Sequence, residues 1–88
     1  MIKVMIVDDQ ELIRESLKVV LNVSPDIKVV DAAANVAEAL KSAVKYRPDV
    51  VLMDIRMPGM DGVEGTKLLK ECGTQAKFIV LTTFEAAE

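Results

Sequence analysis

Four short apolar runs, each followed by a segment of different periodicity, constrain the fold of this 88-residue chain more than any other feature. The first, Ile2-Lys3-Val4-Met5-Ile6-Val7, is rich in β-branched side chains and stops at Asp8-Asp9, as a buried strand does. From Leu12 the spacing becomes helical, with Leu12, Ile13, Leu17, Val20 and Leu21 on one face. Ser24-Pro25-Asp26 breaks the chain, and residues 27–32 form a second, shorter strand. Asn35 with Glu38 has the spacing of a capping box, so a helix follows to about Tyr46, burying Val36, Leu40 and Val44. Arg47-Pro48 stops it, because proline keeps the residue before it out of helical geometry.

Val50-Val51-Leu52-Met53-Asp54 is a third strand without polar alternation, as expected when both faces of a sheet are covered. Met57-Pro58-Gly59-Met60 is loop. Asp61, with Glu64 three residues on, caps a third helix that runs to about Cys72 and ends at Gly73. Its apolar set, Val63, Leu68, Leu69 and Cys72, is the weakest of the three helices. Lys77 to Thr82 is a fourth strand, and Glu85 to Glu88 has the composition to open another helix. Regular alternation of strand and helix predicts parallel strands with right-handed crossovers, hence an open, doubly wound α/β sheet with helices on both faces. With strand order 2-1-3-4, strands one and three are neighbours where the winding reverses. Ligands of such sheets bind outside the carboxyl ends of the strands at that point.

Composition narrows the function. The net charge is −3, with no cluster of Lys or Arg, so direct nucleic-acid contact by this segment is not expected. Cys72 is the only cysteine and the chain has no His, which leaves a reduced structural thiol in place of a disulfide or an activated nucleophile. The N-terminal apolar run is too short for a signal peptide or a membrane span, so a soluble, cytoplasmic protein is expected. Aromatic residues are few (Tyr46, Phe78, Phe84), so Val, Ile, Leu, Ala and Met must build the core, and at this size stability should be marginal.

The chemistry gathers at strand ends. Asp8 and Asp9 follow strand one and Asp54 ends strand three. Adjacent parallel strands lie about 4.8 Å apart, so these acids share one edge. Three carboxylates so close repel one another, and a divalent cation resolves the conflict. Oxygen ligands without His or Cys favour Mg²⁺, with Mn²⁺ as the other candidate. Thr82, ending strand four at the same edge, supplies a hydroxyl donor for a phosphoryl oxygen. Taken singly, each residue has a plainer role. Asp9 is in position to cap the first helix, Asp61 is better read as a cap than as a catalyst, and Thr82 suits a strand. Asp54 is harder to dismiss, since it closes an apolar run and is followed by Pro58-Gly59.

Ile6-Val7-Asp8-Asp9, the stretch Val51-Leu52-Met53-Asp54-Ile55-Arg56-Met57-Pro58-Gly59-Met60-Asp61-Gly62, and Ile79-Val80-Leu81-Thr82-Thr83 together resemble the signature of response regulator receiver domains of the CheY-like superfamily. The resemblance covers the whole chain. It implies a flavodoxin-like fold and a phosphoacceptor role for Asp54, with a sensor histidine kinase as phosphodonor. It also implies a Mg²⁺ site formed by Asp9, Asp54 and the main-chain carbonyl of Arg56, with Asp8 helping through water. Thr82 would be the switch hydroxyl and Thr83 the small residue after it. Leu81-Thr82-Thr83-Phe84 and Asp61-Gly62-Val63-Glu64-Gly65 look most like regulators with a LuxR-type helix-turn-helix output domain, through which any DNA contact would run.

The family pattern extends beyond these residues. A complete receiver has a fifth strand and two more helices, and its phosphate-binding Lys and aromatic switch residue lie in that part. Residues 1–88 are therefore expected to be a C-terminally incomplete receiver domain. Its fourth strand would then form an open edge and its first helix would carry an uncovered apolar face, inviting homodimerisation or segment exchange. A competing reading is a folding or self-association module that is not productively phosphorylated. A nucleotide- or flavin-binding sheet is disfavoured because no Gly-rich turn follows strand one. A hydrolase with an Asp nucleophile on strand one leaves the loop after strand three unexplained.

Overall fold

A computed structural model of the chain describes residues 1–54, 62–71, 73 and 75–81. Its elements follow in the order β1 (Ile2–Val7), α1 (Glu11–Asn22), β2 (Ile27–Ala33), α2 (Val36–Tyr46), β3 (Val50–Asp54), α3 (Gly62–Glu71) and β4 (Lys77–Leu81). The strands pair in parallel in the order β2-β1-β3-β4. This is the doubly wound α/β arrangement that the alternation predicts, with β1 and β3 adjacent at the reversal of winding.

Local signals account for most element ends. The Asn35 side chain accepts a hydrogen bond from the Glu38 N–H at 2.9 Å, and the Glu38 carboxylate in turn accepts from the Ala34 N–H at 3.0 Å. Such a cap contributes about 1 kcal/mol. At the far end of α2, Arg47 leaves the helix in the left-handed region (φ 49°, ψ 63°), denied helical geometry by Pro48. The Lys3 ammonium donates to the Tyr46 carbonyl at 3.1 Å, so a cation sits at the negative end of the α2 dipole. Gly73, at φ 95°, terminates α3 as the sequence anticipates. Asp49 knits the amino ends of three strands: its carboxylate and N–H bond the backbone of Lys3, and its carbonyl accepts from the Lys77 N–H. Between β2 and α2, the Ser42 hydroxyl donates to the Asp31 carboxylate.

The two faces of the sheet are covered unequally. On one face, Met5 and Val7 of β1 and Val51 and Met53 of β3 pack with Val36, Ala39 and Ala43 of α2 and Leu69 of α3. All are buried, and partly buried Leu40, Ala76 and Phe78 close the edges. Strand alternation sends Val4 and Ile6 to the opposite face, where α1 packs on β1 and β2. No residue of α1 is fully buried.

This asymmetry corrects several helical-face assignments. Leu12 and Val20, expected to face the core, are 77% and 65% exposed. They lie with Val19 and Val23 on an outward stripe, while Ile13, Leu17 and Leu21 are half-buried. Val44 is exposed because α2 turns Ala39 and Ala43, not Val44, toward the sheet. Leu68 also points outward and leaves Leu69 to anchor α3. Small residues hold α2 and α3 close to the strands, so the face lies one position away from the largest apolar side chains.

At Gly65, α3 comes close to α2 and β3. A Cβ there would meet Val36 Cγ2 at 2.9 Å and Met53 Sδ at 3.1 Å. Val36 is stiff at χ1 and buried, so it cannot withdraw cheaply. Replacing a helical glycine with alanine gains about 1 kcal/mol of propensity, but overpacking costs about 1–3 kcal/mol. Gly65→Ala is therefore expected to lower stability by about 1 kcal/mol net. A urea titration should show a lower midpoint with an unchanged slope; a raised midpoint would contradict the close approach.

Candidate functional site

The register of β1 against β3 builds the site. Val4, Met5, Ile6 and Val7 pair with Val50, Val51, Leu52 and Met53. Asp8 and Asp54 therefore follow at the next step of two neighbouring strands, about 4.8 Å apart laterally. Asp54 closes β3 and pairs in turn with Leu81 of β4, so Thr82 follows one residue beyond that pairing. At these strand tips the apolar runs of β1 and β3 give way to acids.

Asp8 is 4% exposed, the one charged side chain that is buried among the described residues. A buried carboxylate is costly unless hydrogen-bonded. Its Oδ1 accepts from the Gln10 N–H at 2.8 Å, a charge-assisted bond at the positive end of α1. The Asp8 N–H donates to the Ala33 carbonyl at 3.0 Å, and the Asp8 carbonyl accepts from the Arg14 guanidinium at 2.7 Å. Asp8 is thus bonded through its N–H, its carbonyl and its side chain. Asp9, by contrast, is exposed. Nor does Asp9 cap α1: the capping position belongs to Gln10, whose side chain makes no capping bond. The acid pair divides into one fixed, buried carboxylate and one open to solvent.

Of the residues expected to form the site, Asp8, Asp9 and the backbone of Asp54 come together at the carboxyl edge of the sheet. Arg56, Thr82, Thr83, Phe84, the Pro58-Gly59 turn, the Asp61 cap and Cys72 lie outside the described residues. No group of three or more acidic or cysteine side chains among the described residues is gathered closely enough to hold a metal ion. The donors that are described fit a hard divalent cation in kind: carboxylate oxygens, without nitrogen or sulfur. A concavity lined by Ile2, Val44, Arg47, Asp49, Gln75 and Lys77 opens at the amino ends of the strands. It mixes both signs of charge with apolar groups and lies at the edge opposite the acids.

Two contributors escaped sequence reasoning, the Gln10 N–H and the Arg14 guanidinium. A backbone donor leaves no mark in a sequence. Arg14 left a faint one: it is a cation in the first turns of α1, where the helix dipole disfavours positive charge.

Among the described residues, no helix is long and apolar enough to cross a membrane. The sequence profile of the family described as response regulator receiver domain matches residues 4–88. The chain is 46% identical over 85 residues to the transcriptional regulatory protein LnrK of Bacillus subtilis strain 168, an alignment that covers 97% of this chain and 39% of that protein. It spans about two fifths of the length of such curated relatives. The crystal structure of the response regulator domain of Thermotoga maritima CheB matches with a TM-score of 0.86 at 37% identity, covering 99% of this chain and 66% of that one. A LuxR-family two-component response regulator from Aurantimonas sp. SI85-9A1 matches with a TM-score of 0.88 at 29% identity, covering 97% and 61%. The winding, the acid pair at the tip of β1 and these likenesses agree, and the chain belongs to the response regulator receiver domain family.

Proposed function

We propose that Asp54 accepts a phosphoryl group from the phosphohistidine of a sensor histidine kinase, and that the domain then switches conformation to control an output. Receiver domains act as signalling domains of two-component systems and use Mg²⁺ for phosphorylation. The register of Val7 against Met53, which brings the tips of β1 and β3 side by side, carries this reading. In the transfer, an Asp54 carboxylate oxygen attacks phosphorus, a P–O bond forms and the P–N bond to imidazole breaks. The leaving imidazole takes up a proton. Asp9, Asp54 and the Arg56 carbonyl would hold the metal, with Asp8 contributing through water. Mg²⁺, when bound, neutralises the crowded negative charge and makes attack on an anionic phosphoryl group electrostatically feasible. The Thr82 hydroxyl donates to a phosphoryl oxygen and reports its presence to the rest of the domain.

On this reading the domain is a phosphoacceptor in the cytoplasm and not a turnover enzyme, losing phosphate to water only slowly. Relatives named as transcriptional regulators support an output in transcription, with DNA bound by another domain. The competing reading, an interaction module that is never productively phosphorylated, is not favoured by the family match. Titration with Mg²⁺ and beryllofluoride separates the two, because only a competent site binds both.

With Mg²⁺ and a small phosphodonor, the receiver is expected to become labelled. Asp54→Asn should reduce the label to background, as should chelation of the metal by EDTA, with Mn²⁺ restoring it in the parent. Equal labelling of the Asn variant would refute the assignment.

The outward stripe of Leu12, Val19, Val20 and Val23, each at least 65% exposed, supports self-association of the 88-residue chain. Sedimentation velocity should show concentration-dependent dimers, weakened by Val20→Glu. A monomer at all concentrations would count against it.

A further inference from the structure

We propose that Arg14 is a positioning residue for the metal-binding acids, fixing the turn between β1 and α1 on which Asp8 and Asp9 stand. The inference rests on the phosphoacceptor reading above. It starts from a capping position with no cap: Gln10 opens α1 without a side-chain hydrogen bond. The turn is held instead by two bonds to Asp8, from the Gln10 N–H to the carboxylate at 2.8 Å and from the Arg14 guanidinium to the carbonyl at 2.7 Å. The first fixes the side chain and the second fixes the peptide unit that joins Asp8 to Asp9. With both formed, Asp9 has little freedom left other than its own side-chain rotamers.

Placement of the cation argues for this role. Arg14 lies in the first turns of α1, where a positive charge opposes the helix dipole. The bond it makes to the turn is also partly buried. A short charge-assisted bond to a main-chain carbonyl offsets both costs. Lys18, the next cation along α1, pairs instead with Glu15 at 3.3 Å on the exposed surface. It provides a control of equal charge that makes no bond to the turn.

The sign of the effect separates positioning from simple charge. Acting only through its field, Arg14 would repel a divalent cation, and its removal would tighten metal binding. Acting by positioning, its removal lets the turn relax and loosens binding. Partners that orient metal ligands from behind typically cost about 10–100-fold in metal affinity when removed.

Mn²⁺ binding to the 88-residue chain, followed by loss of the free-ion electron paramagnetic resonance signal, tests the proposal. Arg14→Ala should weaken Mn²⁺ by about 10-fold, Arg14→Lys by less, and Lys18→Ala not at all. Circular dichroism melts accompany each variant. If Arg14→Ala is unfolded, Arg14→Lys decides, with weaker binding supporting the proposal and equal binding overturning it. Unchanged or tighter binding by folded Arg14→Ala overturns it, as does an equal loss in Lys18→Ala. Failure of the parent chain to bind Mn²⁺ would overturn both this inference and the phosphoacceptor reading.

Discussion

The parallel hydrogen-bond ladder between β1 and β3 is the interaction on which everything else depends. These strands are far apart in sequence, and only their pairing sets Val7 beside Met53. A slip of one residue would turn the buried Met5, Val7, Val51 and Met53 out of the core, so burial and register enforce each other. The acids gain their proximity from that enforced register. Hydrophobic packing in the interior thereby sets the electrostatics at the rim.

At that rim the two neighbouring acids have opposite surroundings. Asp8 is buried and hydrogen-bonded, while Asp9 is left in solvent. The turn that carries them is tied back to β2 through Ala33 and to α1 through Arg14.

The unequal faces of the sheet express the same economy. Alanines on α2 and Gly65 on α3 let those helices approach the strands closely, and the best-packed part of the core lies there. On the other face α1 contributes half-buried Ile13, Leu17 and Leu21 and turns a row of valines outward. The stripe is apolar and helical in spacing.

By itself the sequence determined the element order, the parallel winding, the Asn35–Glu38 cap and the stops at Pro48 and Gly73. It also singled out the acids at the strand tips, and the family followed from the residues around them. These are properties of local periodicity and short-range chemistry, carried by neighbours along the chain. Which helical residues face the core was not legible. Leu12, Val20 and Val44 fit an apolar stripe as well as Ile13 or Ala43 do, and only the angle at which each helix meets the sheet chooses between them. Nor could the sequence show that Gln10 and Arg14 brace Asp8, because a main-chain donor has no residue signature and the reach of an arginine is decided by where the strand ends. Tertiary structure settled those points, since contacts between distant segments depend on the relative placement of whole elements.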